Sequence, residues 1–476
     1  MTVDIKHDIR VVEGISPVGR ESSTMTQTVW TPQPIVERPD MVAATTALLG
    51  REDIPFSESE DVFTVEALGL QWDIGVRVFE PTSPERTAVG ADRKRVGAFM
   101  LHGGEDDWRQ LVPLAELLVG KLGWKVVLPT FPGRLYLPDP SRNWPGDTIH
   151  PDGTVRTPIW QDGEFVPPDD YDVIKDQKQR LRDGTRTLAR AKPGTRFYHR
   201  MAAWPAAMEV GMVEAARRHL AEPEYSVYVH GHSTGGPIVS MLSQRIPNCA
   251  GNLAAESSPF GYINAAKYAW APTGKVDGYE RTAAPGKARY DLFNDLYIRT
   301  WRDHARYRGP EALAAEGPAA LMRLPWLMEE ILDEWAAQTV RPRFKCEYLI
   351  THDIRSSLVA AATVSAERLG LGAAGTQALV DRFTGYTRSL RDPGVKPLPP
   401  TLAGISGSSR DHSPEVYAEV IVPMVEAIEP RPKYALTRYL GGTHTMWGAD
   451  GDLPLGIAPA VVTDWHDAIT GGWFLD

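Results

Sequence analysis

The chain has 476 residues, 42% of them hydrophobic and 24% charged, which is enough to bury a large core in one enlarged domain or in two. Its formal net charge of −10 argues against nucleic acid or an anionic membrane as the main partner. Two cysteines are too few for a disulfide framework. No segment resembles a signal peptide or the roughly 18 apolar residues of a membrane-spanning helix. We therefore expect a cytoplasmic protein with neither a nucleic-acid nor a membrane partner.

The chain begins with a polar segment and continues as alternating strand and helix patterns. We interpret residues 1–60 as an N-terminal arm over the surface and residues 61–135 as the first part of an α/β core. Two alternating runs on either side of Gly69 predict an antiparallel pair of strands. In chain order, the predicted elements are a helix at 41–50, strands at 63–68, 72–79 and 96–101, a helix at 110–122 and a strand at 125–128.

Two long insertions separate the later parts of this core, which we place at 221–261 and 398–476. The first insertion, 136–220, starts with turns and continues with helical patterns, and the second, 262–397, is predicted to be a mainly helical cap. Ligands of open α/β sheets bind at the carboxyl ends of the strands, so insertions that leave from those ends cover the site. The predicted helices of the two insertions lie near 171–190, 203–220, 290–306, 311–328 and 358–390.

The strand-like run 225–230 leads directly into Gly231-His-Ser-Thr-Gly235, a G-x-S-x-G motif, and a helix pattern follows. On a tight strand-to-helix turn this motif is a nucleophile elbow, which exposes the Oγ of the central serine and directs the next amide toward an oxyanion. The motif alone also fits an ordinary glycine-rich turn. The strand before it and the helix after it favour Ser233 as a nucleophile.

A second motif follows the predicted strand at 96–101, where the sequence is His102-Gly-Gly-Glu-Asp-Asp-Trp108. Acyl transfer places negative charge on the former carbonyl oxygen, and preorganised backbone N–H groups stabilise that charge. A plain glycine-rich β-turn is the alternative interpretation. The predicted donors of the oxyanion hole are the amides of Gly103, Gly104, Glu105 and Thr234.

A general base must accompany the serine, and His444 is the best candidate because it lies in the loop after the last strand-like run, 434–440. The acid that orients its imidazole is predicted to be Asp411, in the loop after the strand-like run 402–406. Glu256 is the alternative acid, since it follows the next strand after the elbow helix. Without a catalytic role, Asp411 would form a turn or helix cap and Glu256 would line the substrate cavity.

Other side chains lie beside these motifs. His102, Trp108, His232 and Trp447 are predicted to line the substrate site, and His230 is predicted to be either lining or structural. A metal site on His230 and His232 is disfavoured because strand and turn geometry point the two rings apart and no third ligand has suitable spacing. We expect neither a metal nor a cofactor.

The order Ser233, Asp411, His444, with the His-Gly-Gly strand end upstream, resembles the serine hydrolases of the α/β-hydrolase superfamily. The resemblance covers about 60–135, 220–262 and 398–476 and indicates no particular subfamily. It implies a mostly parallel central sheet with helices on both faces and a large, mainly helical cap. It also implies a serine hydrolase that forms an acyl-enzyme on Ser233. A carboxylic ester is the expected substrate because its leaving group is the easiest, and a bulky or aromatic portion of that substrate is suggested only by the cap.

The resemblance leaves other activities open. The same site suits a carbon–carbon bond hydrolase of a ketone-bearing substrate, or an amide or lactone hydrolase. A non-catalytic binding protein is least favoured, because a binder has no need of a triad. Glu105 stands where many esterases have a third consecutive glycine, so the second oxyanion donor is not fixed. The expected partner is a small-molecule substrate, while its identity and the oligomeric state are not determined.

Overall fold

The computed structural model describes the central sheet, helices that pack on it and short pieces of the two insertions. The described residues are 35–67, 69–103, 107–132, 148–149, 155–156, 167–175, 187–192, 195–233, 235–257, 275–276, 279–280, 344–345, 359, 362–363, 366–367, 370–384, 396–407, 409, 422 and 428–475.

A nine-stranded sheet forms the centre of this described part. Its strands are β1 (Ile35–Arg38), β2 (Phe56–Ala67), β3 (Leu70–Pro81), β4 (Arg95–Leu101), β5 (Lys125–Pro129), β6 (Tyr225–Gly231), β7 (Cys249–Ala255), β8 (Thr401–Ser406) and β9 (Tyr434–Tyr439). Their order across the sheet is β1-β9-β8-β7-β6-β4-β5-β3-β2. Neighbouring strands are parallel except at β3, which is antiparallel to β2 and to β5. The β2–β3 pair turns at Gly69, whose φ is 72°, and confirms the predicted antiparallel pair.

The described helices are α1 (Met41–Leu49), α2 (Val112–Leu122), α3 (Arg196–His219), α4 (Gly235–Ser243), α5 (Gly372–Thr384) and α6 (Ala458–Thr470). Short 3₁₀ helices occur at Pro84–Arg86, Trp108–Leu111 and Pro168–Asp170. Local sequence sets several helix ends. The hydroxyl of Thr195 accepts a hydrogen bond of 3.1 Å from the N–H of Tyr198 and caps α3. Gly123, with a φ of 71°, ends α2 in the left-handed conformation that glycine adopts without strain.

Side chains of β4 alternate between two helical layers. Val96, Ala98 and Met100 pack in one buried cluster with α1, α2 and α6, whereas Phe99 and Leu101 pack in the other with α3 and α4. Both faces of β4 are apolar because a parallel strand covered by helices on each side meets no water. This arrangement confirms the predicted fold class, a mostly parallel sheet with helices on both faces.

The first described strand lies within the segment that we assigned to the N-terminal arm. β1 pairs in parallel with β9, with Ile35 opposite Leu436 and Arg38 opposite Tyr439. The guanidinium of Arg38 forms an ion pair with Asp464 of α6, whose carboxylate also accepts a 2.9 Å hydrogen bond from the hydroxyl of Tyr439. Residues 35–38 therefore extend the central sheet by one strand.

One helix prediction in the first insertion is wrong. Tyr171–Lys175 and Thr187–Ala191 form an antiparallel pair of strands where a helix was predicted at 171–190. Val173 and Ile174 are β-branched and favour extended backbone, a preference that outweighed the helical pattern. The next predicted helix is confirmed as α3, which begins at Arg196.

Little of the predicted cap falls within the described residues. The segments 290–306 and 311–328 lie outside them, and α5 is the described helix of the segment 358–390. None of the described helices is long and apolar enough to cross a membrane. Three short strand pairs join Thr148–Ile149 to Val155–Arg156, Lys275–Val276 to Tyr279–Glu280 and Phe344–Lys345 to Ile428–Glu429.

Candidate active site

The G-x-S-x-G motif forms the predicted strand-to-helix turn between β6 and α4. Ser233 has a φ of 55°, in the left-handed region that a residue with a Cβ rarely adopts. The N–H of Gly235 donates to the carbonyl of His232 at 2.8 Å, and the N–H of Gly236 donates to that of Ser233 at 3.0 Å. These bonds close a tight turn around Ser233, whose strained backbone indicates a functional position.

The glycines on either side of Ser233 allow the backbone to fold back on itself. A Cβ on Gly231 would overlap the carbonyl group of Gly235, and a Cβ on Gly235 would lie 2.8 Å from the carbonyl oxygen of His102 at the end of β4. Both clashes are with backbone, which cannot move aside as a flexible side chain can. The motif spacing therefore follows from the close approach of β4, β6 and α4.

Gly231→Ala is expected to lower the free energy of unfolding by about 1–3 kcal/mol, because the added methyl group forces the elbow backbone apart. Gly120→Ala is the matched control, since Gly120 lies inside α2 and its added Cβ would be 3.4 Å from the nearest atom, a ring carbon of Phe56. Alanine is also the better helix former there. Thermal melts of both variants test this, and equal melting temperatures would contradict it.

His444 lies in the loop after β9, as predicted. Gly441 and Gly442 lead into it with φ values of 113° and 76°, and the N–H of Gly442 donates to the carboxylate of Asp450 at 2.7 Å. The ring of His232 holds the same loop from the elbow side, because its Nε2–H donates to the carbonyl oxygen of His444 at 2.9 Å. The two imidazole rings lie 4.5 Å apart.

Glu256 is the carboxylate that meets His444 among the described residues. Its Oε2 accepts a hydrogen bond of 3.1 Å from His444 Nδ1, and its side chain is fully buried. Like Ser233, Glu256 has a left-handed backbone, with a φ of 50°. The N–H of Ser233 donates to the carbonyl oxygen of Glu256 at 3.3 Å, so the two strained residues are joined directly.

The structure thus brings Ser233, Glu256 and His444 together at the carboxyl ends of β6, β7 and β9. Asp411, the acid favoured from the sequence, lies outside the described residues, as do Gly104, Glu105 and Thr234 of the predicted oxyanion hole.

Two serines that the sequence analysis did not select also contact Glu256. Oε1 of Glu256 accepts from the N–H of Ser406 at 2.5 Å, and Oε2 accepts from the hydroxyl of Ser409 at 2.7 Å. Ser406 is the last residue of β8, and Ser409 follows it three residues later, at the end of the sequence Ser-Gly-Ser-Ser. A hydroxyl-rich turn at a strand end beside a predicted site is the signal that identifies them.

The described part of the predicted oxyanion loop is held by side chains. The N–H of Gly103 donates to the side-chain oxygen of Gln110 at 2.6 Å. The buried ring of His102 bonds the carbonyl of Gly103 through Nδ1 at 2.8 Å and accepts from the N–H of Phe131 through Nε2 at 3.3 Å. His102 therefore ties the end of β4 to the end of β5, and Gln110 engages the amide of Gly103.

The predicted lining residues divide into two groups. Trp447 is half-buried beside His232, with 5.1 Å between the ring centroids. Trp108 is buried in the cluster formed with α1, α2 and α6, where the guanidinium carbon of Arg77 lies 4.7 Å from its ring centroid. His232 is fully buried, and this burial, together with the nearby imidazole of His444, lowers its pKa well below the usual value. The contacts of Trp447 and His232 place them at the site.

His230 is a fully buried titratable group on β6. Its Nδ1–H donates to the carbonyl of Leu253 at 2.8 Å, and its Nε2 has no partner among the described residues. Burial lowers the pKa of His230 to about 4. In the unfolded chain the histidine pKa is about 6.5, so the unfolded state binds a proton at a higher pH than the folded state does. Folding stability therefore decreases as pH falls from about 6.5 to about 4.

His230→Asn is expected to reduce this acid sensitivity, because asparagine retains a donor toward Leu253 and does not titrate. Between about pH 7.5 and pH 4.5, the wild-type protein is expected to lose about 2–3 kcal/mol more unfolding free energy than the variant. Urea unfolding of both proteins at the two pH values measures this. The prediction is wrong if both lose the same amount.

In the described part of the chain, no group of three or more His, Cys, Asp or Glu residues is arranged to hold a metal ion. The buried thiol of Cys249, whose pKa burial raises to about 12, lies on β7 and is part of the core. The described site contains a serine, an imidazole and a carboxylate.

No family model and no curated protein matches the chain. Among solved structures, the chain is similar to a fungal esterase from Rhizomucor miehei, with 12% identity over 91% of this chain and 92% of that one and a TM-score of 0.35. A peroxisomal alpha-beta-hydrolase from Saccharomyces cerevisiae has 12% identity over 88% of each chain and a TM-score of 0.30. Acetyl xylan esterase 1 from Thermoanaerobacterium sp. JW/SL YS485 has 12% identity over 90% of this chain and 96% of that one, with a TM-score of 0.29.

Proposed function

Starting from its α/β-hydrolase fold, we propose that this protein is a serine hydrolase that cleaves a carboxylic ester of a bulky or aromatic small molecule. Ser233 is the nucleophile, His444 the general base and Glu256 the acid. The observation that carries this proposal is the 3.1 Å hydrogen bond between His444 Nδ1 and Glu256 Oε2, beside a serine with a φ of 55°.

The first half of the reaction forms an acyl-enzyme. Ser233 Oγ attacks the ester carbonyl as its proton passes to Nε2 of His444, and Glu256 stabilises the imidazolium through Nδ1. The tetrahedral intermediate then collapses, the bond from the carbonyl carbon to the alcohol oxygen breaks, and the alcohol leaves with the proton from His444. The products of this half are a free alcohol and an acyl group on Ser233.

Water repeats the sequence in the second half. His444 takes a proton from water, whose oxygen attacks the acyl carbon, and then returns the proton to Ser233 Oγ as the acid leaves. The net change is the addition of one water across the ester bond. The ring of His232 donates to the backbone carbonyl of His444, and this hydrogen bond keeps the base in one position through both halves.

The oxyanion of both intermediates is assigned to backbone amides. One donor is assigned to the amide of Thr234, because Thr234 directly follows the nucleophile in the sequence. The N–H of Gly103 is engaged by Gln110, so the second donor is assigned to the amide of Gly104 or Glu105. Gln110 and His102 support that donor by fixing Gly103, which leads into both candidate residues.

Burial and backbone conformation support Glu256 over Asp411 as the acid. A fully buried carboxylate is costly unless it is paired and hydrogen-bonded, and Glu256 has His444 and two serine donors. Its φ of 50° is a strained conformation for a residue with a side chain, which persists only where the surrounding structure imposes it. Asp411 stays a prediction from the sequence.

A substrate panel tests the proposed reaction. The wild-type protein is assayed with four compounds. Two are esters, p-nitrophenyl butyrate and a second aryl ester whose acid is bulky. The other two are the anilide of that bulky acid and a ketone with the same carbon skeleton. We expect turnover of both esters in preference to the anilide and the ketone, because an alcohol leaves more easily than an amine or a carbanion. Of the two esters, the bulky one is expected to react faster, in line with the proposed substrate class. Turnover of the ketone without turnover of either ester would refute ester hydrolysis and indicate carbon–carbon bond cleavage.

A further inference from the structure

The turn that follows β8 contacts the proposed acid from two sides. The N–H of Ser406, the last residue of β8, donates to Oε1 of Glu256 at 2.5 Å. The hydroxyl of Ser409, three residues further on, donates to Oε2 at 2.7 Å. Each carboxylate oxygen of Glu256 therefore accepts a hydrogen bond from this turn, independently of His444.

These contacts are made away from solvent. Glu256 and Ser406 are fully buried, and Ser409 is 3% exposed. A buried carboxylate that lacked such donors would lose the hydrogen bonds that water gives it in the unfolded chain. Charge-assisted hydrogen bonds of this kind are also stronger and more directional than bonds between neutral groups. The turn is thus suited to fix the rotation of the carboxylate about its last side-chain bond.

The same turn also holds the base. The hydroxyl of Ser406 donates to the carbonyl oxygen of Thr443 at 2.8 Å, and Thr443 immediately precedes His444. In addition, the N–H of Gly407 donates to the carbonyl oxygens of Tyr439 and Gly441, at 2.7 and 3.1 Å. One short segment therefore sets the position of the carboxylate and of the loop that carries the imidazole.

On the basis of the proposed function, we propose that Ser409 is a positioning residue, which holds Oε2 of Glu256 in line with Nδ1 of His444. Ser409 Oγ and His444 Nδ1 donate to the same oxygen of Glu256. The serine therefore fixes the orientation in which that oxygen accepts the hydrogen bond of the imidazole. It acts on the reaction through Glu256 and does not touch the substrate.

Loss of this hydroxyl has two expected effects. The carboxylate gains rotational freedom, so His444 spends less time in the orientation that accepts the proton of Ser233. The negative charge on Oε2 is also shared with one donor fewer, so it stabilises the imidazolium more strongly. Glu256 at the end of β7 and His232 in the elbow are titratable groups that face His444 from the described elements, and Ser409→Ala leaves both in place.

The test measures kcat and KM for p-nitrophenyl butyrate from about pH 5 to about pH 9 in full-length wild type, Ser409→Ala and Ser409→Thr. Ser243→Ala is the matched control, because Ser243 is a buried serine on α4 whose hydroxyl donates to the carbonyl of Ser240 in the same helix. For Ser409→Ala we expect kcat to fall about ten- to a hundredfold with KM within about twofold, as for other residues that orient a catalytic group. The acid limb of the profile is expected to move up by about half a pH unit. Ser409→Thr, which keeps a hydroxyl, is expected to restore kcat to within about threefold of wild type.

The inference is overturned if Ser409→Ala keeps the wild-type kcat and acid limb, even if its melting temperature falls, since that pattern describes a purely structural serine. It is also overturned if Ser409→Thr loses as much kcat as Ser409→Ala although both fold. Glu256→Gln, assayed alongside, separates this failure from failure of the proposed function. If Glu256→Gln abolishes turnover and Ser409→Ala does not change it, the inference alone fails. If wild type does not cleave the ester, or Glu256→Gln is fully active, the proposed triad fails as well.

Discussion

Ser233→Ala is expected to lower kcat/KM for p-nitrophenyl butyrate by about 10⁴-fold or more, the usual cost of removing a triad nucleophile. The left-handed backbone of Ser233 is held by hydrogen bonds of its neighbours and by the close approach of Gly231 and Gly235, so the turn keeps its shape without the hydroxyl. The loss is therefore chemical. Steady-state kinetics at about pH 8, with folding checked by circular dichroism, measure it.

Ser243→Ala serves as the control for this variant. Ser243 is also buried and lies on α4, the helix that follows the nucleophile, so its replacement tests whether any serine deletion near the elbow has the same effect. We expect its kcat/KM to stay within about threefold of wild type. A Ser233→Ala protein that folds and keeps a tenth or more of the wild-type rate would rule out Ser233 as the nucleophile.

Glu256→Gln is the second change with a large expected effect, a fall in kcat of about 10³- to 10⁴-fold. The amide cannot stabilise the imidazolium, and by donating a hydrogen bond toward Nδ1 it favours the tautomer in which Nε2 carries a proton and cannot accept one from Ser233. The measurement is kcat for p-nitrophenyl butyrate, with intact-mass confirmation of the variant.

Asp411→Asn is the informative partner of Glu256→Gln, because Asp411 is the acid that the sequence favours. We expect its kcat to stay within about threefold of wild type. The reverse outcome, an inactive Asp411→Asn and an active Glu256→Gln, would restore the sequence-based assignment. Large losses in both variants would mean that the two carboxylates act together on His444.

Much of the fold could be predicted because its signals are local. The apolar run of β4 predicts both ends of that strand to within one residue, and the alternation on either side of Gly69 predicts β2 and β3, although β2 begins seven residues earlier than predicted. At the elbow, the close approach of Gly231 to Gly235 is local in sequence, whereas that of Gly235 to the end of β4 is not. Such features depend on short-range sterics, which a sequence pattern records directly.

The strands that were missed are each stabilised by pairing with another strand. β1 is a four-residue segment whose partner, β9, lies almost 400 positions away, so nothing in its own pattern distinguishes it from a polar arm. Tyr171–Lys175 is stabilised as a strand by pairing with Thr187–Ala191, while the sequence offered a helical pattern across the same residues. In both cases tertiary contacts decided between two local possibilities.

The identity of the carboxylate that faces His444 also depends on contacts that form only in the folded chain. Asp411 and Glu256 each follow a strand-like run, and position along the chain does not indicate which carboxylate faces His444. The left-handed φ at Glu256 and its hydrogen bond with His444 are properties of the folded chain. So are the contacts of Ser406 and Ser409, which are far from Glu256 in sequence.

The central claim is that Ser233 is a nucleophile activated by His444 and Glu256. The most direct test is to react the full-length protein with a fluorophosphonate, digest it and locate the adduct by peptide mass spectrometry, in wild type, His444→Ala and Glu256→Gln. The account predicts one phosphonyl group per wild-type chain, on Ser233, with labelling slowed by a factor of about 10³ or more in both variants. A wild-type protein that hydrolyses esters but carries the adduct on another residue, or labels Ser233 equally fast in all three proteins, would contradict it.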